Sequence, residues 1–404
     1  MLKRPLYMNR IKPFMNTELI KVMTGMRRSG KSVMLELIQT ELLVSGISEK
    51  QIISYNFEQM KYAHLLDAPS LYQDVHQKCH NIHERVYLFF DEIQEVKDWQ
   101  KAINSFRVDF DCDIYITGSN AKLLSGELST YLAGRYVQFE IFPFSFSEFM
   151  EIYKEKYPNA SNDEIFQKYL VIGGMPYNSN LNFDEEVVKV YLEDLFNSVQ
   201  LKDIIARNKI RDIDLLKKII TYVMLNIGNT FSASSISKFL KREGRSISSE
   251  TILNYLQYMN DAFLFYKARR EDLKTKEVLT TNEKYYVCDQ GIRQAVVGGN
   301  LKDINLTLEN IIFMEAKRRG YQISIGRNGT KEIDFVLRKG EDKIYLQACY
   351  LLASEETVQR EFGAYKGIED NYPKYVLSLD NINFSQNGIK HYNIKDFLLL
   401  NEWG

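Results

Sequence analysis

Gly25-Met26-Arg27-Arg28-Ser29-Gly30-Lys31-Ser32 is a complete G-x-x-x-x-G-K-[ST] run, and its flanks decide how it is read. Ile20-Lys21-Val22-Met23-Thr24 has the pattern of a short strand running straight into the first glycine. Ser32 to Leu43, with apolar Val33, Met34, Leu37, Ile38 and Leu42, has the spacing of a helix leaving the loop. Strand, loop and helix are what a phosphate cradle requires. The glycines let the backbone fold back so that amide hydrogens point inward, and the helix N-terminus adds partial positive charge. The expected nucleotide-binding set is Gly25, Arg28, Ser29, Gly30, Lys31 and Ser32. Lys31 is expected to reach the β- and γ-phosphates, and the Ser32 hydroxyl to hold a magnesium ion. The alternative reading is a glycine-containing turn ahead of an ordinary helix.

The chain of 404 residues is too long for one typical core and suggests two to four domains. Its 45% hydrophobic and 26% charged residues are ordinary for a soluble protein, and a formal net charge of -1 gives no global basic field. Any nucleic-acid site must therefore be a local patch. Cys79, Cys112, Cys288 and Cys349 lie far apart, and the N-terminus has Lys3 and Arg4 but no apolar signal region. These features point to free thiols in a reducing cytoplasm. No window approaches 18 consecutive apolar residues, so no membrane partner is expected.

Residues 1 to 19 bring Arg4, Tyr7, Arg10 and Phe14 to the first strand; the segment reads as surface, with packing of Tyr7 or Arg10 on a bound base as the alternative. Gln51 to Phe57 alternates like a strand. A helix over about Ser70 to Glu84 carries His76, Cys79, His80 and His83 at helical spacing. A metal site is one reading; the apolar stripe Tyr72, Val75, Cys79 and Ile82 accounts for the pattern better. Val86-Tyr87-Leu88-Phe89-Phe90-Asp91-Glu92 is the second decisive element, a doubly buried strand ending in two carboxylates. Asp91 is expected in the magnesium shell, and Glu92 is expected to orient and deprotonate water. Asp113 to Thr117 is a third strand, followed by Gly118-Ser119-Asn120, where Asn120 or Ser119 is placed to sense the γ-phosphate. The segment continues through Leu123 and Leu124 to Ala133-Gly134-Arg135 and a strand over Tyr136 to Phe142. Arg135 is either an arginine finger or a structural ion-pair partner.

Together Gly25 to Ser32, Phe90-Asp91-Glu92, Thr117-Gly118-Ser119-Asn120, Gly134-Arg135 and Phe144-Ser145-Phe146-Ser147-Glu148-Phe149 resemble the AAA-type prokaryotic P-loop ATPases that carry a C-terminal domain of unknown function. The resemblance runs the length of the chain. It implies an α/β parallel-sheet core followed by helices, a winged helix and a region like the restriction-endonuclease fold. It also implies ATP binding and Mg2+-dependent hydrolysis, in nucleic-acid-linked or defence-linked work whose substrate it does not name.

The expected organisation is an ATPase core over 1–144, a helical lid over 145–205 broken at Gly173-Gly174-Met175-Pro176, a winged helix over 206–281 and a nuclease-like domain over 282–404. In the third region, helices at 213–227, 232–241 and 248–263 precede a strand ending in basic residues. Lys241, Arg242, Arg245, Lys267, Arg269 and Arg270 are the candidate duplex-DNA contacts, while the third helix has Glu250 and no basic residue, which leaves a protein-docking winged helix as the alternative. In the last region Glu309 and Asp334 match the first two acidic positions of a restriction-type nuclease. The third position is Gln347-Ala348-Cys349, so a carboxylate and the lysine are missing there. The expectation is a non-catalytic relic. ATP hydrolysis acting on a nucleic-acid or protein partner stands beside two alternatives, an ATP-set docking switch and an ATP-gated nuclease; a homo-oligomer is an open partner.

Overall fold

The computed structural model describes residues 2–121, 132, 134–275, 277–299 and 303–403. The chain divides into two compact units, the first formed by 1–142 with 261–263 and the second by 143–260 with 264–404. The stretch from Leu123 to Ala133 lies outside the described residues, apart from Leu132.

The first unit is built on strands β1 (Ile20–Thr24), β2 (Ile52–Asn56), β3 (Val86–Asp91), β4 (Cys112–Gly118) and β5 (Tyr136–Glu140). They form an all-parallel sheet in the order β2-β3-β4-β1-β5. Every residue of β1, β3 and β4 is buried, which explains their nearly continuous apolar sequence. Helices α1 (Pro5–Ile11), α2 (Lys31–Val44), α3 (Ala68–Cys79) and α4 (Trp99–Asp109) belong to this unit. Helix α3 is capped by Asp67, whose carboxylate accepts the Ser70 N–H at 3.0 Å, and it ends at Cys79, short of the expected Glu84. Cys79 is buried in the core, so the stripe reading of this helix accounts for it. Helix α4 went unread from the sequence, although Trp99, Ala102, Ile103 and Phe106 bury one face at helical spacing. Because all strands are parallel, the loops after β1, β3 and β4 emerge at the same end of the sheet, which gathers the site.

The second unit opens with α5 (Phe146–Lys156), α6 (Asn162–Ile172) and α7 (Glu185–Ser198), which runs on into a π-helical stretch over Val199–Ala206. Next come α8 (Ile213–Leu225), β6 (Thr230–Phe231), α9 (Ala233–Arg242), α10 (Ser249–Asp261), β7 (Phe265–Asp272) and β8 (Val278–Val287). Then follow α11 (Gln290–Val297), α12 (Ile304–Arg318), β9 (Gln322–Asn328), β10 (Lys331–Lys339), β11 (Asp342–Ala348), α13 (Glu355–Gly363), β12 (Lys374–Ser378), β13 (Lys390–Asn393) and α14 (Ile394–Leu399). All eight strands form one mixed sheet, β13-β12-β11-β10-β9-β7-β8-β6. Position 281, the expected boundary, falls inside β8, and β7 pairs with β9 in parallel across it.

Helix α11 packs against α6 and α7, and its N-cap explains the turn at 173–176. The buried Asp289 carboxylate accepts N–H bonds from Gly174 at 2.7 Å, Gly291 at 2.9 Å and Ile292 at 3.3 Å. A Cβ at Gly173 would lie 2.0 Å from Asp289 Oδ1, so this approach requires glycine. Burial pushes the Asp289 carboxyl up to about 6, against the opposing pull of those N–H donors.

Candidate nucleotide-binding site

The phosphate loop leaves β1 at Gly25, whose φ is +141° and where a Cβ would stand 2.2 Å from the Ile141 carbonyl oxygen. Only glycine fits. Arg28 and Gly30 also have positive φ, 62° and 101°, so the loop turns back on itself before α2 begins at Lys31. Arg28 and Ser32 are exposed, while Ser29 is fully buried and its hydroxyl has no hydrogen-bond partner among the described residues. The Lys31 ammonium donates to the carbonyls of Gly25 at 3.2 Å and Met26 at 3.0 Å, and stands 3.8 Å from Glu92 Oε1.

The carboxylates at the end of β3 are held by residues from the two strands beside it. Asp91 Oδ1 accepts the Thr117 hydroxyl at 2.5 Å, and Asp91 Oδ2 accepts the Asn56 amide at 2.9 Å. Burial pushes the Asp91 carboxyl above the usual range, opposed by hydrogen bonds from Thr117 and Ser32. Glu92 sits just past β3 with φ 53°, a left-handed conformation that a non-glycine residue adopts at a cost of about 1 kcal/mol. That turn sends its N–H to Thr117 Oγ1 at 2.9 Å, and Gln94 donates to its carboxylate. One hydroxyl, donating once and accepting once, thus ties Asp91 to the backbone of Glu92.

Thr117 is the residue that sequence reading missed. Ser119 and Asn120, the expected sensors, follow β4 and are buried at the same end of the sheet, but the described bridge is made by the strand's own threonine. Asn56 lies within the stretch that reads as a strand, with nothing local to single it out; its pairing position opposite Asp91 gives it its role. Arg135 is not brought to this site within its own chain. It precedes β5, its carbonyl accepts the Ile20 N–H at the start of β1, and its exposed guanidinium donates to Asn104 Oδ1 at 3.1 Å. The loop lies at the opposite end of β1, about 15 Å away along the strand. The lead-in also departs from its surface reading: Arg4 and Tyr7 are each 2% exposed, because both pack behind the loop.

Residues 17–150 match a family model described as an AAA domain, and residues 163–303 match one described as a domain of unknown function (DUF8612). Over 378 residues the chain is 39% identical to an uncharacterized protein of Haemophilus influenzae, spanning 94% of this chain and 93% of that one. It is also 32% identical over 391 residues to the uncharacterized protein MJ1544 of Methanocaldococcus jannaschii, spanning 94% and 83%. The chain belongs to the AAA-type P-loop ATPase family with a C-terminal domain of unknown function. The fold is similar to that of the Walker-type ATPase PABY2304 of Pyrococcus abyssi, with a TM-score of 0.51 at 15% identity over 72% of this chain and 95% of that one.

The donor set of this AAA-type site fits a magnesium triphosphate. Among the described residues no group of three or more His, Cys, Asp and Glu side chains is placed to hold a metal ion. Ser32 and Asp91 offer one hydroxyl and one carboxylate, which suits a magnesium ion that takes its remaining ligands from phosphates and water. The buried, unpartnered Ser29 hydroxyl lies in the same loop.

The second unit of this family member gathers a different set. Glu309 on α12, Asp334 on β10 and Gln347 on β11 are joined by Lys284 of β8, whose ammonium is 3.4 Å from Glu309 Oε2 and 2.9 Å from Glu332 Oε1. Lys284 thus brings an ammonium to these carboxylates from another strand, which no local spacing could reveal. Asp334 Oδ2 accepts the Ala348 N–H at 2.8 Å, and Gln347 Oε1 is taken by the Asp334 N–H at 3.1 Å. Burial raises both the Asp334 and Glu309 carboxyls, and Glu309 raises Asp334 further. Burial alone would lower the Lys284 ammonium, but the surrounding Glu309, Asp334 and Glu332 charges prevail and raise it.

The basic residues expected to meet DNA have separate fates. Arg245 pairs with Asp212 at 2.9 Å and Asp214 at 2.7 Å, Lys267 with Glu283 at 3.1 Å, and Arg270 with Glu332 at 3.8 Å. Lys241 and Arg242, at the end of α9, and Arg269, on β7, are exposed. No helix among the described residues is long and apolar enough to cross a membrane.

Proposed function

We propose that the chain binds ATP with Mg2+ and hydrolyses it to drive a conformational change in its second unit. The observation that carries this reading is the bridge from Asp91 through the Thr117 hydroxyl to the Glu92 N–H, beside Lys31 and Ser32. Magnesium, held by Ser32 and Asp91, would neutralise charge on the β- and γ-phosphate oxygens. Glu92, turned out of the strand and with one carboxylate oxygen pinned by Gln94, takes the proton of an attacking water. Lys31 contributes the mobile cation, and the exposed loop positions Arg28 and Ser32 leave the cradle open to a ligand.

The remaining organisation is part of the same proposal. Residues 145–205 act as the helical lid, the elements α8, β6, α9, α10, β7 and β8 as a winged helix, and the region from 282 as a nuclease-like fold that no longer cuts. Engagement of Arg245, Lys267 and Arg270 by carboxylates favours a winged helix that docks protein over one that binds duplex DNA. Arg135 acts as a finger only toward a neighbouring copy, which makes a homo-oligomer part of this reading. A reducing, cytoplasmic setting suits the free and buried Cys79, Cys112, Cys288 and Cys349.

Phosphate release measured alone, with duplex DNA, with single-stranded DNA and with the Lys31→Ala chain tests the reading. Basal, Lys31-dependent hydrolysis is expected. Stimulation by either DNA would restore the DNA-binding winged helix, and hydrolysis by the Lys31→Ala chain at the wild-type rate would sink the site assignment.

A further inference from the structure

The N-terminal lead-in holds the phosphate loop from behind. Arg4, just before α1, is buried, and its guanidinium donates from Nη1 to the Ser29 carbonyl at 3.2 Å and from Nη2 to the Phe142 carbonyl at 2.8 Å. It lies over the Tyr7 ring at 4.4 Å, and the Tyr7 hydroxyl in turn accepts the Phe142 N–H at 3.2 Å. The segment it grips is the one that closes on the other end of the loop. The Ile141 N–H donates to the Thr24 carbonyl at 2.7 Å, and the Ile141 carbonyl is the atom that a side chain at Gly25 would strike. Arg4 therefore links the late part of the loop, at Ser29, to the segment that already fixes its start.

The consequence follows from peptide geometry. A trans peptide is planar, with its C=O and N–H on opposite edges. When the Ser29 carbonyl is drawn back onto Arg4, the Gly30 N–H of the same peptide must point the other way, away from Arg4. Gly30, with φ 101°, is free to rotate into other conformations that an ordinary residue would not visit. A charged, two-pronged donor is suited to hold such a peptide, because its planar fork reaches two carbonyls at once. Arg4 itself has φ 45°, a strained backbone that the packing of α1 sustains.

We propose that Arg4 is a positioning residue for the phosphate loop, fixing the Ser29–Gly30 peptide so that the Gly30 N–H faces the phosphates. This rests on the reading of the loop as a nucleotide site. The test is calorimetric titration of the full chain with ATP and with ADP, for wild type, Arg4→Gln and Arg4→Lys, alongside melting curves without nucleotide. Arg4→Gln is expected to weaken both nucleotides roughly tenfold to a hundredfold at a temperature well below its melting transition, because a charged hydrogen bond to the loop is lost. Arg4→Lys, able to satisfy one carbonyl, should fall between. A purely structural Arg4 would instead lower the melting temperature and leave the affinity of the folded chain within twofold of wild type, which overturns the proposal. If Arg4→Gln does not fold, Arg4→Lys decides: weaker binding with a near-wild-type melting temperature supports the assignment, and unchanged binding overturns it. A folded wild-type chain that binds no ATP removes the nucleotide reading and this proposal with it, whereas tight wild-type binding that is indifferent to Arg4 removes this proposal alone.

Discussion

Each unit gathers a lysine among carboxylates, yet the two groups are built in opposite ways. Lys31, Asp91 and Glu92 stand on a loop and a strand end, with left-handed backbone at Arg28, Gly30 and Glu92 and exposed Ser32 beside them. Lys284, Glu332, Asp334 and Glu309 stand within β8, β10 and α12, none at positive φ although the β9–β10 register shifts between Ile333 and Val336, and Gln347 Oε1 and Asp334 Oδ2 each accept an N–H of the neighbouring strand. The first group is bonded too, Asp91 to Thr117 and Asn56 and Lys31 to two loop carbonyls, but it stands beside the exposed Arg28 and Ser32, where a ligand can reach it. The second centres on Lys284 and Asp334, buried among its own strands, the setting expected of a structural ion cluster. The nature of the side chains does not separate the two; where the backbone places them does.

The comparison breaks first at Glu92. Glu92→Gln should retain ATP affinity within a few-fold and lower phosphate release by about a hundredfold to ten-thousandfold, since only proton transfer is impaired. Equal turnover would put the first group in the same structural class as the second.

Next in size is Lys284→Met, which leaves the Glu309 and Glu332 charges without their buried cation. The loss should be about 3–5 kcal/mol in chemical denaturation of the second unit. We also expect no cutting of plasmid or single strands with magnesium or manganese in wild type; cleavage that vanishes in Asp334→Ala would move the second group from structure to catalysis.

Asp289 sharpens the contrast, being a buried carboxylate that meets only backbone N–H donors among its described bonds. Its folded-state value, about 6, lies above the 3.8 of an unperturbed aspartate, so the folded chain holds this proton longer than the unfolded chain does. Stability from this residue is therefore greatest at low pH and falls as pH rises from about 4 to 6, by about 3 kcal/mol in all. Denaturation across that range should show the decline in wild type and lose that part of it in Asp289→Asn.

The smallest effect is expected at Thr117. Thr117→Val keeps the shape but unties Asp91 from Glu92, and should slow hydrolysis about tenfold. Asn120→Ala should cost less; the reverse order would return the sensing role to the residue that the sequence motif suggested.

Much of the first unit could be read in advance because its signals are local. The loop, β1, β3 and β4 each carry their own pattern, and Ile20–Thr24 was bounded to the residue. What escaped depends on partners far along the chain. Thr117 acquires meaning only when β4 lies beside β3, Arg4 only when it meets Ser29 and Phe142, and Lys284 only when β8 faces α12. In each case the residue is unremarkable in its own segment. Arg135 shows the converse, an attractive motif residue that strand direction carries to the far end of the sheet.

The position of β7 has a further consequence. It is flanked by β8 on one side and β9 on the other, so the β7–β8 hairpin and the strands that finish the eight-stranded sheet share one backbone ladder. Truncation near residue 281 would sever β8 and bare the edge of β9, leaving a ladder of unpaired amides prone to joining foreign strands. Such a piece is a poor candidate for expression alone, and for the same reason it is a poor unit of evolutionary exchange: the hairpin and the strands after it must be inherited together.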